Sequence, residues 1–225
     1  MILIFADELD DIAQATVAEW PAANAQLLTV SDLANQGWFV DHTNFSQSTL
    51  VCNGQSISIA EITGLIITKP YIFAAELYRI ESASRLYVAG ELGAFLFYVF
   101  NALTCPRINC PSPYNLASPN YRYEQWQLWC LALSIPFKVA IEQPIVEPQT
   151  VLIPTKVIVL AGRVIAGEDP AQQEAALQLA AIANIIYLEV LFIEIAQQSY
   201  FYAANPIPDL SQPAVCSALQ GYFKD

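Results

Sequence analysis

The sequence is poor in glycine, in positive charge and in histidine. Only eight of its 225 residues are glycine, and none lies between Gly93 and Gly162. That gap excludes a glycine-rich phosphate loop from the middle of the chain, because such a loop needs glycine for backbone N–H groups to converge on an anion. Nine Lys and Arg stand against 21 Asp and Glu, a formal net charge of −12. The nine are scattered, which excludes nucleic acid as a partner, since phosphate binding needs clustered basic residues. Lys is absent between Lys69 and Lys138. The single histidine, His42, must serve any Ser-His-Asp or Cys-His catalysis. It sits in the polar loop Asp41-His42-Thr43-Asn44, where a solvated surface role is favoured over a catalytic one.

Charge is scarce as well. Charged residues make up 13% of the chain and hydrophobic ones 55%, against about 25% charged in an average soluble domain. Such a chain buries much of its length or shares a surface with a partner. Met1 to Ala6 is apolar, but no positive residue precedes it and Asp7, Glu8, Asp10 and Asp11 follow at once. A buried strand is expected there, with no secretory signal. Two apolar stretches, 86–104 and 177–196, carry Glu91 and the pair Glu189 and Glu194. Ionised groups are costly within a bilayer, so no membrane span is expected. The five cysteines, Cys52, Cys105, Cys110, Cys130 and Cys216, contain no C-x-x-C pair. Cys105 and Cys110 share a proline-rich loop and are a weak metal or disulfide signal, but buried free thiols in a reducing cytoplasm fit better.

Strands alternate with helices. Residues 2–6 read as a buried strand. Asp10 or Asp11 caps a helix to about Trp20, stopped by Pro21. A second strand spans 26–30. Leu50 to Cys52 and Ser56 to Ile59 form a hairpin about Asn53-Gly54, a pair suited to positive φ. Residues 64–68 form a further strand, and the order predicts an α/β fold with a largely parallel sheet. A helix over 85–102 is apolar nearly all round, so burial on several sides is expected. Glu91 within it would then need a partner, and Arg79, Arg85 and Arg107 are candidates for a structural pair. A proline-rich loop over 109–120 leads to a helix over 121–133. The segment 136–154 reads as a linker. Strands at 156–160 and 164–165, a helix over about 171–184 with Pro170 in its first turn, and a hairpin of 187–195 with 200–205 complete the chain.

Specific residues within this order point to a family. The tail Tyr202-Ala203-Ala204-Asn205-Pro206-Ile207-Pro208, the loop Asn109-Cys110-Pro111-Ser112-Pro113, Ser134-Ile135-Pro136 after a helix, and the strand pair 156–165 together resemble ATP-grasp ligases of the peptide-ligase or ribosomal-peptide-maturase type. The resemblance implies an N-terminal Rossmann-like (pre-ATP-grasp) domain over 1–118, a helix and proline-containing linker over 119–150, and a reduced α+β C-terminal half of an ATP-grasp fold over 151–225. It also implies a cleft marked by Asp7, Arg122, Lys156, Glu189 and Asn205.

The chain departs from the family pattern in several places. The family holds magnesium with an acid on the penultimate strand and a Glu and an Asn on the last. Glu189 and Asn205 match two of these, but Ala203 stands where the Glu belongs. Only 19 residues separate Pro136 from Lys156, too few for the family's central nucleotide-gripping domain. The family's Lys on the 121–133 helix is missing, and Arg122 is the nearest cation. The resemblance with these losses implies no cofactor and no resident metal, because magnesium relies on carboxylates together with phosphate oxygens. The expected function is a non-catalytic binding or accessory protein that uses the remnant cleft for a protein partner or small ligand, self-association included. The alternative is a degenerate enzyme modifying a peptide or amino acid with Lys156, Glu189 and Asn205. A membrane-peripheral role is a third, weaker reading.

Two readings of single groups remain open. Asp7, Glu8, Asp10 and Asp11 follow the first strand, at the edge where open α/β sheets bind ligands. They could recognise a cation or amine, though helix capping is favoured. Glu189 and Glu194 are five apart on one strand and so point to opposite faces, which excludes a paired-carboxylate site.

Overall fold

A computed structural model describes residues 1–20, 25–137 and 153–224. Two compact units form, one from Met1–Asn120 with Asp209–Asp225 and the other from Tyr121–Pro208. The predicted helix stop at Pro21 and most of the predicted linker, 138–152, lie outside the described residues.

The first unit is built on a parallel sheet. Strand β1 (Ile2–Phe5) pairs with β2 (Gln26–Leu28) on one side and with β5 (Gly64–Ile67) on the other. The continuous apolar runs make this sheet, because both its faces are covered: Leu3, Ile4, Phe5, Leu65, Ile66 and Ile67 are all fully buried. Helix α1 (Asp11–Glu19) follows β1, with Asp10 as N-cap accepting from the backbone N–H of Ile12 at 3.1 Å and Ala13 at 2.9 Å. The hairpin forms as predicted, β3 (Thr49–Cys52) against β4 (Gln55–Ser58), turning on Asn53 and Gly54 at φ 51° and 70°.

Helix α2 (Arg85–Ala102) corrects an expectation. Only Ala89, Leu96, Val99 and Phe100 are buried, while Leu86 is 79% and Tyr87 70% exposed. One stripe is buried, Val88, Leu92, Phe95 and Phe97 are partly covered, and Leu86, Tyr87 and Tyr98 face outward. Glu91 is exposed too, so it is no buried acid in need of a cation. The three candidate arginines serve elsewhere: Arg85 and Arg107 donate to backbone carbonyls, and Arg79 lies beside the Tyr78 ring. The unit closes with a helix absent from the sequence reading, α5 (Pro213–Tyr222), whose Val215 and Leu219 are fully buried. Phe223, next after it, packs so tightly on β5 that a Cβ at Gly64 would lie 2.5 Å from its ring.

The second unit begins with α3 (Tyr123–Ala132), followed by β6 (Thr155–Leu160), β7 (Arg163–Ala166), α4 (Pro170–Ile182), β8 (Tyr187–Ile195) and β9 (Gln198–Asn205). The strands form one antiparallel sheet in the order β7-β6-β8-β9. Val157, Val159, Leu188, Val190 and Phe192 face α3 and α4, closing a core with Trp126, Cys130, Ala176 and Leu179. A bulge at Tyr202 shifts the register between Leu191 and Phe192, which turns Phe201 into this core beside Trp126.

Glycine scarcity shows in the backbone. Seven non-glycine residues among those described hold positive φ: Asn53, Asn109, Ser134, Ala161, Asn184, Ala196 and Gln197. Ser134 and Asn184 each end a helix in a Schellman pair. Ile135 donates to Cys130 and Ile185 to Ala180, and the preceding Ser134 and Asn184 donate to Leu131 and Ala181. Ala196 and Gln197 form the β8–β9 turn with no residue that favours the left-handed region. Each such residue costs roughly 1–2 kcal/mol. The double variant Ala196→Asn with Gln197→Gly is therefore expected to raise stability by about 1 kcal/mol, read as a higher urea midpoint with an unchanged m-value.

All five cysteines are free. Cys52 and Cys130 are buried, whereas Cys110 is exposed, so burial of every thiol does not hold. Burial, aided by the nearby Asp32 charge, pushes the Cys52 thiol up to about 12, and burial alone does the same for Cys130. Below about pH 8.5 folded and unfolded chains both keep these protons, and stability is whole. As pH rises further the unfolded chain releases them first, so stability falls through the window up to about 12. Urea unfolding across alkaline pH is expected to show this decline, and a Cys130→Ala variant a shallower one.

Candidate functional site

Strand alternation assembles the site in the second unit. Lys156 stands opposite Leu191, which stands opposite Ala203. One step along, Ile158 stands opposite Glu189, which stands opposite Asn205. Directly paired residues share a face, so Lys156, Glu189, Ala203 and Asn205 lie together on the sheet face away from α3 and α4. The structure thus brings three of the predicted residues together, and places the departure, Ala203, among them.

Local bonds occupy these side chains. The Lys156 ammonium lies 3.3 Å from the Glu189 carboxylate, with Glu189 the less exposed of the two. The Asn205 Oδ1 accepts from the backbone N–H of Ile207 at 3.1 Å, forming an Asx turn that leads the chain off β9. Arg122 precedes α3 as its N-cap residue, is exposed, and makes no ion pair among the described residues. Its helix packs into the core on the opposite face. Glu194 also falls on that side, as its offset from Glu189 requires. It lines a cavity of about 510 Å³ with Gln172, Gln178 and Ser199. The buried Gln172 accepts from the Thr155 hydroxyl at 2.9 Å and donates to Ser199 at 3.0 Å, tying α4 to β6 and β9.

Asp7 belongs to the first unit. It follows β1 and there meets a residue the sequence reading overlooked. Lys69, just beyond β5, is 1% exposed and pairs with Asp7 and, at 2.5 Å, with Glu76. The ammonium also lies 5.3 Å from the Phe73 ring centre. The signal was available, because adjacent parallel strands deliver their next residues to the same edge. Asp10 caps α1, and Glu8 accepts from the Ser31 hydroxyl at 2.7 Å. His42 is exposed, in a loop where Asp41 accepts from Thr43 and Asn44. The Thr43 hydroxyl and those two amides hold the Asp41 carboxyl below its usual value. Among the described residues, no cluster of three His, Cys, Asp or Glu could hold a metal ion. No helix there is long and apolar enough to cross a membrane.

Neither a protein-family model nor a curated protein sequence matches the chain. Solved structures do. The macrocyclase MdnC of Microcystis aeruginosa, bound with precursor peptide MdnA, aligns with a TM-score of 0.75 at 10% identity, over 99% of this chain and 100% of that one. A RiPP-associated ATP-grasp ligase of Chryseobacterium gregarium, in complex with ADP and a leader and core peptide, gives 0.68 at 12% identity, over 97% and 91%. A RimK domain ATP-grasp protein of Sphaerobacter thermophilus gives 0.55 at 8% identity, over 100% and 99%. The chain has an ATP-grasp-like fold. At these identities the likeness concerns the fold alone, so the side chains of the ATP-grasp-like sheet must speak for themselves.

The Lys69 cluster is testable by unequal losses. Asp7→Asn with Glu76→Gln leaves a buried ammonium without a counter-charge and is expected to cost about 3–5 kcal/mol. Lys69→Met is expected to cost less, because Asp7 is 58% exposed and can return to water. Urea denaturation of both variants measures the difference.

Proposed function

We propose that this chain is a non-catalytic binding or accessory protein of ATP-grasp ancestry that makes no ATP-dependent bond. One observation carries the reading. On the sheet face where the resemblance expects a magnesium site, the three positions hold Glu189, Ala203 and Asn205, and each of the two polar side chains already has a partner. A residue set with one carboxylate, engaged by Lys156, does not fit a metal that needs several oxygen ligands. The absence of glycine between Gly93 and Gly162 supports the same reading, since it removes a phosphate cradle from the sequence. In this reading 1–118 is a Rossmann-like domain, 119–150 a helix and linker, and 151–225 a reduced ATP-grasp half. The protein works in the cytoplasm.

The occupant we assign to the remnant cleft is a peptide segment of a partner protein. Two of the aligned proteins were solved with precursor or leader peptides. Lys156, on the sheet face away from α3 and α4, would supply a cation for an acidic segment.

The second reading, a degenerate enzyme modifying a peptide or amino acid, rests on Lys156, Glu189 and Asn205 sharing one sheet face. Calorimetry with Mg-ATP separates the two. No heat is expected from the natural protein or from Ala203→Glu, because one carboxylate does not rebuild the phosphate grip. Micromolar binding by the natural protein would sink the proposal.

A further inference from the structure

A cavity of about 180 Å³ lies within the first unit, apart from the sheet face described above. Its walls are mainly apolar, with Leu33, Leu77, Val88 and Leu92 among them, and Glu76 and Arg79 also line it. An apolar cavity of about 150 Å³ admits a benzene-sized group, so one large aliphatic or aromatic side chain fits here. The site lies beside the carboxyl edge of the parallel sheet, since Leu33 follows β2 and Leu77 follows β5. Open α/β sheets bind their ligands at this edge.

The two charges are held in place separately. Glu76 accepts from the buried Lys69 at 2.5 Å and from the backbone N–H of Phe73 at 3.4 Å. Arg79 lies in a segment pinned by Arg85, which donates to the Ile80 carbonyl at 2.8 Å and the Tyr78 carbonyl at 3.0 Å. Glu76 and Arg79 stand one helical turn apart in sequence and line the same cavity, yet no ion pair joins them among the described residues. Lys69 neutralises only one of its two carboxylates, Asp7 and Glu76, so one negative charge remains near the Arg79 guanidinium, and together they are the complement of a zwitterion with an apolar side chain. A guanidinium suits a carboxylate and a carboxylate suits an ammonium.

We propose that this cavity binds a free apolar α-amino acid, with its side chain among Leu33, Leu77, Val88 and Leu92, its ammonium at Glu76 and its carboxylate at Arg79. A neutral apolar ligand would gain nothing from either charge. The site is independent of the peptide-binding reading, and of whether the sheet face binds anything.

Titration of the whole protein with L-leucine, followed by calorimetry and amide NMR, tests the assignment. Leucine is expected to bind and to shift amides of 30–34 and 76–80. Leucine amide and N-acetyl-leucine, which lack one charge each, are expected to bind at least about tenfold more weakly. Gly-Gly-Leu keeps the carboxylate but moves the ammonium away, and is expected to be weakened likewise. Alanine, too small for the chamber, is also expected to bind more weakly. Arg79→Met alters an exposed side chain and should leave the fold intact, and in it leucine and leucine amide are expected to bind alike. Val88→Trp is expected to fill the chamber and abolish binding. No leucine binding at millimolar concentration overturns the proposal. So does N-acetyl-leucine amide binding as tightly as leucine, or Gly-Gly-Leu binding more tightly than leucine.

Discussion

The alternation of side chains along β6, β8 and β9 is the constraint on which the second unit depends. Odd and even positions must go to different faces. Val157, Val159, Leu188 and Val190 fill the core against α3 and α4, and that choice leaves Lys156, Glu189, Ala203 and Asn205 no alternative to the other face. Slipping the register by one residue would drive Lys156 and Glu189 into the core against α3 and α4 and take the valines out of it. The hydrophobic core therefore aligns the site residues whether or not they still serve a ligand. This is why a recognisable constellation persists here with an alanine in it. Packing maintains the geometry, and the chemistry has to be judged from the side chains.

The first unit rests on a different balance. Its parallel sheet is buried on both faces and brings Asp7 and Lys69 to one edge. Burying an ammonium is costly unless opposite charges satisfy it, and here Asp7 and Glu76 both do. This edge is the usual ligand position in open α/β sheets. In this chain a cation of its own fills part of it, held by Glu76, a residue that also lines the neighbouring cavity.

Glycine scarcity, the first feature of the sequence, bears on both chemistry and stability. It excludes a glycine-rich phosphate loop between Gly93 and Gly162. It also forces Ser134, Ala161, Ala196 and Gln197 into backbone conformations that glycine or asparagine adopts more cheaply. The surrounding sheet and helix packing hold these turns closed. The β8–β9 hairpin was legible in the sequence, but its two-residue turn was not, since Ala196-Gln197 carries none of the usual turn residues.

The sequence by itself determined the strand and helix order, because long apolar runs and periodic patterns are local properties. It placed the hairpin at Asn53-Gly54, narrowed the cap of the first helix to Asp10 or Asp11, and set Glu189 and Glu194 in opposite orientations. The likeness to ATP-grasp proteins was also legible, from short motifs in the right order. The 213–222 helix was missed, because Pro213 and a short amphipathic stretch give a weak signal. The exposure of Leu86, Tyr87 and Glu91 could not be read, since composition says that a helix is apolar but not how much of it is covered. Only the tertiary structure paired Lys69 with Asp7, across 62 positions of sequence, and gave Glu189 to Lys156 and Asn205 to its own turn. Strand adjacency and side-chain reach decide such partnerships, and neither is a property of any local stretch of chain.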